Sequence, residues 1–315
     1  MKAMLAAIPV FVCFAFGPVW SAESDLFPAT RQETFVYKKI GERTLDIIVH
    51  YPADWSAEDK RPAIVFFFGG GWNKGNPSQF EAQANYLAGR GMVALRADYR
   101  LKSKDGVSPD KCVEDARSAM RWIRANAASL GIDPGKIVAS GGSAGGHLAA
   151  CCGMAESADD PNDDLTISAR AQALLLFNPV MSFMHMELAG RVNGDTEIAR
   201  KISPTEHLAA DTPPCILFFG SQDRLKALAD EYAAKARTLG VRCDEYVQEG
   251  VGHGFFNRSP YTEATLHAAD EFLASLGYLQ GPPTFERPSS EALASARGES
   301  RRRSKTSPDQ DAAQE

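Results

Sequence analysis

The order of apolar and amphipathic segments predicts an α/β protein, built on a mostly parallel, doubly wound sheet with antiparallel strands at its N-terminal edge. Three observations predict it. Short, fully apolar runs such as Ala63–Phe68 and Ala171–Phe177 suit strands covered on both faces. These runs alternate with segments whose apolar residues recur at helical spacing. The chemically distinctive residues fall just after the apolar runs, where sheets of this kind place their sites.

Taken in order, the chain begins with Lys2, an apolar run from Met4 to Val19, and the small-residue exit Trp20-Ser21-Ala22 before Glu23. That is the layout of a secretory signal over residues 1–22, and the run is short for a membrane span and broken by Pro9, Gly17 and Pro18. The expectation is a secreted or periplasmic protein with no membrane span after cleavage. Thr34–Ile40 and Arg43–His50, parted by Gly41, read as an edge hairpin. Ala63–Phe68 ends on Gly69-Gly70-Gly71, and Met92–Leu95 leads into Arg96-Ala97-Asp98-Tyr99-Arg100.

Between Asp110 and Ala128 the residues Cys112, Val113, Ala116, Ala119, Met120 and Ile123 mark a helix with one buried face. Strands are then expected at Ile137–Ser140, Ala171–Phe177, Ile216–Gly220 and Asp244–Val247, and helices at Ala144–Ala155, Lys226–Leu239 and Thr262–Leu276. Residues 23–280 make one catalytic domain, in which 181–212 form a small cap. Residues 281–315, rich in Pro, Ser, Ala and charge, read as a disordered tail. The aspartates of 159–164 lack the ligand spacing of a calcium loop and read as a solvated loop.

With 44% hydrophobic and 23% charged residues, 315 residues suffice for a full core. The net charge of −6 gives no basic footprint for nucleic acid. Five cysteines remain beyond the leader, an odd number that cannot all pair. Cys151 and Cys152 read as buried thiols, and Cys215 and Cys243 begin neighbouring strands where a bridge is conceivable but geometrically disfavoured.

Gly141-Gly142-Ser143-Ala144-Gly145 follows a strand and opens a helix, the setting in which a serine takes a strained backbone and projects its hydroxyl. Such a hydroxyl needs a base, itself oriented by a carboxylate. His253 in Gly252-His253-Gly254-Phe255 supplies the base and Asp223 in Gly220-Ser221-Gln222-Asp223 its partner, each just past a strand. His147, one turn along the serine's own helix, reads as packing, and Asp98 as an ion pair or loop brace. The negative oxygen of a tetrahedral intermediate needs backbone donors, expected from Ala144, Gly70 and Gly71. Trp72 and His185 are expected to touch substrate. This chemistry calls for no cofactor and no metal.

These motifs, over residues 34–278, resemble the α/β-hydrolase esterases related to hormone-sensitive lipase, nearest the acetylxylan and feruloyl esterase branch. The resemblance implies hydrolysis of short-chain esters of small molecules or oligosaccharides, acetyl groups on polysaccharides included. The family commonly has histidine before its glycine run, a brace for the donor loop, and here Phe68 stands there. Three other uses of the fold stay open: amidase, arylformamidase-like or exopeptidase chemistry, an inert binding module, and a bulk-lipid lipase using the Met181–Met186 stretch as a lid. Oligomeric state is not fixed by these features.

Overall fold

The computed structural model describes residues 27, 28 and 30–306; the expected signal segment lies outside them. Among the described residues eight strands form one sheet in the order β1-β2-β4-β3-β5-β6-β7-β8. β1 (Arg31–Ile40) and β2 (Arg43–Tyr51) form the hairpin, and β2 is antiparallel to β4 (Val93–Ala97) as well. From β4 onward, β3 (Arg61–Phe67), β5 (Ile132–Gly142), β6 (Ala173–Phe177), β7 (Cys215–Gly220) and β8 (Cys243–Gln248) run parallel. The predicted fold class is the observed one.

The apolar runs are continuous because each face of the sheet has its own core. Ala63, Val65 and Phe67 of β3 join one, while Ile64 and Phe66 join the other. Helix α1 (Glu81–Gly89) covers the second face through Ala84, Leu87 and Ala88. Helix α2 (Pro109–Ala125) turns Val113, Ala116, Met120 and Ile123 to the first. Its start is set by Ser108 in extended conformation and Pro109 in the first turn, where a missing N–H costs nothing. Helix α3 (Ala144–Cys151) and α4 (Lys226–Thr238) lie with α2, and α5 (Tyr261–Ser275) with α1. Residues 181–212, the expected cap, hold short helices, Met186–Ala189 and Thr196–Lys201 among them.

Two expectations need correction. The 281–315 segment is not a structureless tail as far as it is described: Ser290–Thr306 forms helix α6, and Phe285 packs edge-on against Tyr86 and Phe27, at 5.1 and 6.0 Å between ring centres. Leu293 and Ala296 rest on the second core, and Tyr261 Oη donates to the Leu293 carbonyl. These apolar residues are too few to show a period against their polar neighbours, yet they suffice on a surface already built. Nor is 159–164 simply a solvated loop. Asp159 pairs with Arg117 and Arg121, Asp163 with Arg121, and Asp160 with Lys38, so its carboxylates neutralise cations that are themselves nearly buried.

The thiols follow the sequence reading more closely. Cys151 and Cys152 are buried. Cys215 and Cys243 face each other in register across β7 and β8, and both are free. The serine's helix ends at Cys151 rather than continuing to Ala155.

Candidate active site

Ser143 sits where β5 gives way to α3, with φ 52° and ψ −115°, a conformation that non-glycine residues rarely adopt. The turn survives because backbones close in around it. A Cβ on Gly145 would stand 2.0 Å from the Phe67 carbonyl oxygen, so only glycine lets α3 approach β3 this closely. Ser143 N–H donates to the Phe177 carbonyl at 2.8 Å, tying the turn to the end of β6. Ala144 opens the helix, so its N–H has no carbonyl one turn back to bond.

His253 Nε2 lies 2.8 Å from Ser143 Oγ, and its Nδ1 lies 2.8 Å from Asp223 Oδ2. With Nδ1 donating to the carboxylate, the Nε2 lone pair is left to accept the serine proton. The Asp223 side chain is fully buried, and its other oxygen, Oδ1, accepts from Leu225 N–H at 2.9 Å. The three residues come from the ends of β5, β7 and β8, which the parallel sheet delivers to one edge.

A fourth residue completes this line, and the sequence reading missed it. Asn178 follows β6, is fully buried and has φ 46°. Its Nδ2 donates to Asp223 Oδ2 at 2.6 Å, and its Oδ1 accepts from Gly254 N–H at 3.2 Å, beside His253. Asn178 therefore fixes both the acid and the histidine loop. The available signal was its place, a lone polar residue directly after the apolar run Ala173–Phe177.

The glycine loop passes alongside the nucleophile, since a Cβ on Gly69 would lie 3.4 Å from Ser143 Cβ. Gly70 and Gly71 have φ of 122° and 64°, and Trp72 follows with 58°. Phe68 does not brace this loop through a polar group as a histidine would. Its ring instead stacks on Tyr99 at 4.2 Å, and Tyr99 Oη donates to the Phe68 carbonyl at 2.7 Å. Burial holds the Tyr99 hydroxyl well above its ordinary titration range, so it remains a donor. Asp98, one residue before, pairs with Arg43 at 2.7 Å, the structural role expected of it.

Trp72 is buried under the cap, its ring 5.1 Å from Phe183 and 5.3 Å from His147. Arg191 of the cap lies over that ring and donates to the Gly71 carbonyl at 3.1 Å. His147 is a packing residue, fully buried, with Nε2 2.6 Å from the Ile202 carbonyl; burial lowers its pKa to about 4 and keeps it neutral. His185 makes its polar contact with α4 rather than with the nucleophile. It is half exposed at the start of a short cap helix, 3.6 Å from Glu231 of α4, because the cap turns it outward. Among the described residues, no group of three or more His, Cys, Asp or Glu side chains could hold a metal ion, and no helix is long and apolar enough to cross a membrane.

The chain is similar to known proteins of this fold. Residues 45–232 match the BD-FAE family. Carboxylesterase NlhH of Mycobacterium tuberculosis is 25% identical over 80% of this chain and 84% of its own. Esterase LipC of the same organism is 28% identical over 67% of this chain and 58% of its own. Among solved structures, esterase 2 of Thermogutta terrifontis phosphoramylated by tabun is 45% identical, with a TM-score of 0.76 over 81% of this chain and 97% of that one. The propionate-bound form of that esterase is 44% identical, with a TM-score of 0.75 over the same shares. The sheet order, the strained serine and the matches converge: the chain belongs to the BD-FAE family and is a serine hydrolase of carboxylesterase type on the α/β-hydrolase fold.

Proposed function

We propose that the protein hydrolyses short-chain carboxylic esters through an acyl-enzyme on Ser143, with His253 as base and Asp223 as its orienting acid. The observation that carries this reading is the pair of 2.8 Å contacts that run from Ser143 Oγ through His253 to Asp223. Ser143 Oγ attacks the ester carbonyl while its proton passes to His253 Nε2. The carbonyl oxygen becomes an oxyanion facing the N–H groups of Gly70, Gly71 and Ala144. Collapse expels the alcohol, which takes the proton from His253, and water activated by the same imidazole then releases the acid and frees Ser143.

Short acyl groups are favoured because the related esterase was solved with propionate and with butyrate. Acetyl esters of carbohydrates are the finer proposal, and export through residues 1–22 fits a polymer-derived substrate outside the cytoplasm. Hydrolysis of p-nitrophenyl acetate by the protein and by Ser143→Ala tests the mechanism. The variant should lose about a thousandfold or more in kcat; equal rates would sink the assignment. An acyl series from acetyl to octanoyl beside acetylated xylan tests the substrate, and the carbohydrate proposal fails if xylan releases no acetate. N-terminal sequencing of the secreted protein should begin at Glu23, and an intact Met1 would contradict export.

A further inference from the structure

We infer that Gln79 is a positioning residue for the reaction, a polar brace at the root of the donor loop in a chain whose Phe68 cannot supply one. This inference rests on the ester-hydrolysis reading above. Gly69 N–H donates to Gln79 Oε1 at 2.6 Å, at the root of the loop that carries Gly70 and Gly71. Gln79 Nε2 donates in turn to Asn257 Oδ1 at 3.0 Å, and Asn257 Nδ2 donates to the Gly254 carbonyl at 3.1 Å. The orientation of both amides follows from the backbone: an N–H at Gly69 demands an acceptor, and a carbonyl at Gly254 demands a donor. One directional relay thus joins the donor loop to the loop of His253.

Local sequence holds Gln79 in place. Asn76 caps the turn Pro77–Phe80 by accepting from Ser78 N–H, and Phe80 is buried and stacked on Phe66 at 5.0 Å. Phe80 also stacks on Phe256 at 5.8 Å, so the turn of Gln79 meets the segment after His253 twice, once by rings and once by amides. From beneath, Arg96 donates to the Pro77 carbonyl at 3.1 Å and to His50 Nε2 at 2.8 Å.

Positioning matters because donors help only when aimed at the site the oxyanion will occupy. Truncating Gln79 leaves every donor of the loop present but lets Gly69 and the glycines after it shift. The loss should therefore fall on kcat and spare KM.

The experiment is steady-state hydrolysis of p-nitrophenyl acetate by Gln79→Leu, Gln79→Glu, Asn257→Ala and the Gln79→Leu/Asn257→Ala double variant. Gln79→Leu should lower kcat about tenfold with KM within about twofold. The double variant should be no slower than Gln79→Leu, because both changes cut one relay. In Gln79→Glu the carboxylate still accepts from Gly69 but faces Asn257 Oδ1 without a proton to give. Its rate relative to the unmodified protein should rise as pH falls and the carboxyl gains the missing donor, which a purely structural role would not produce. A kcat for Gln79→Leu within twofold of the unmodified protein, additive losses in the double variant, or a pH-independent ratio for Gln79→Glu overturns the inference. Should Gln79→Leu not fold by circular dichroism, Asn257→Ala, on an exposed loop, and Gln79→Glu decide it. If the unmodified protein and Ser143→Ala are equally slow, the ester-hydrolysis reading fails instead, so the two failures are told apart.

Discussion

The turn that carries Ser143 and the glycine loop beside it are both short and both left-handed in places, yet the second is tied down by outside side chains as well as by backbone. The serine turn is fixed by backbone against backbone: Gly141 and Gly145 would each put a Cβ within 2.5 Å of a main-chain atom. The glycine loop has such a contact too, a Cβ on Gly70 standing 2.0 Å from the Lys74 carbonyl oxygen, but side chains outside the loop fix it as well: Gln79 at Gly69, Tyr99 at Phe68 and Arg191 at Gly71. A backbone lock is all or nothing, whereas a side-chain lock can be loosened one group at a time. Stability should therefore register changes at the backbone locks, and rate should register changes at the side chains that hold the glycine loop.

The largest effect expected from this contrast is on stability. Gly145→Ala sets a methyl group 2.0 Å from the Phe67 oxygen and should cost about 3 kcal/mol or more, measured by urea denaturation. A loss under about 1 kcal/mol would mean the turn has room to move. Next comes Asn178→Ala, which removes one donor from Asp223 and the acceptor for Gly254 N–H. It should lower kcat by about ten- to a hundredfold, some 1–3 kcal/mol, with the serine still in place. An unchanged kcat would show that Asp223 needs no second donor.

Burial lowers the pKa of His50, against which Arg96 adds its charge, and that of His147, each to about 4. Below the ordinary value of 6.5, the unfolded chain therefore binds protons that the folded protein refuses. The stability these neutral imidazoles contribute is complete above about pH 6.5 and is lost as pH falls towards 4. Calorimetry should show Tm dropping across that window, and His147→Gln should flatten part of the slope; parallel curves for the two proteins would contradict it. The smallest effect should come from Arg191→Ala. Its hydrogen bond to Gly71 is exposed, so kcat should fall by less than about threefold.

This contrast also explains what the sequence disclosed. Ser143 was legible because its constraint is local: the residues that permit the turn are its immediate neighbours. Asp223 and His253 were legible because each follows an apolar strand in the expected order. The sheet and its alternating cores were legible from period alone. Gln79, Asn178 and the carboxylates of 159–164 were not, because their residue types are ordinary in turns and most of their partners lie tens of residues away. Phe68 marked a missing brace without saying what replaced it. Helix α6 was hidden for another reason: its contacts use only a few apolar residues on a surface made by α5 and the chain just after β8. His185 was expected to touch substrate from its place in the Met-rich stretch, which does not disclose the neighbour it meets, Glu231.

Fluorophosphonate labelling followed by peptide mass spectrometry tests the central claim most directly. One adduct per chain, on the peptide containing Ser143, sharply slowed in His253→Ala, is the predicted result. A label on another residue, or continued ester hydrolysis with Ser143 unlabelled, would contradict it.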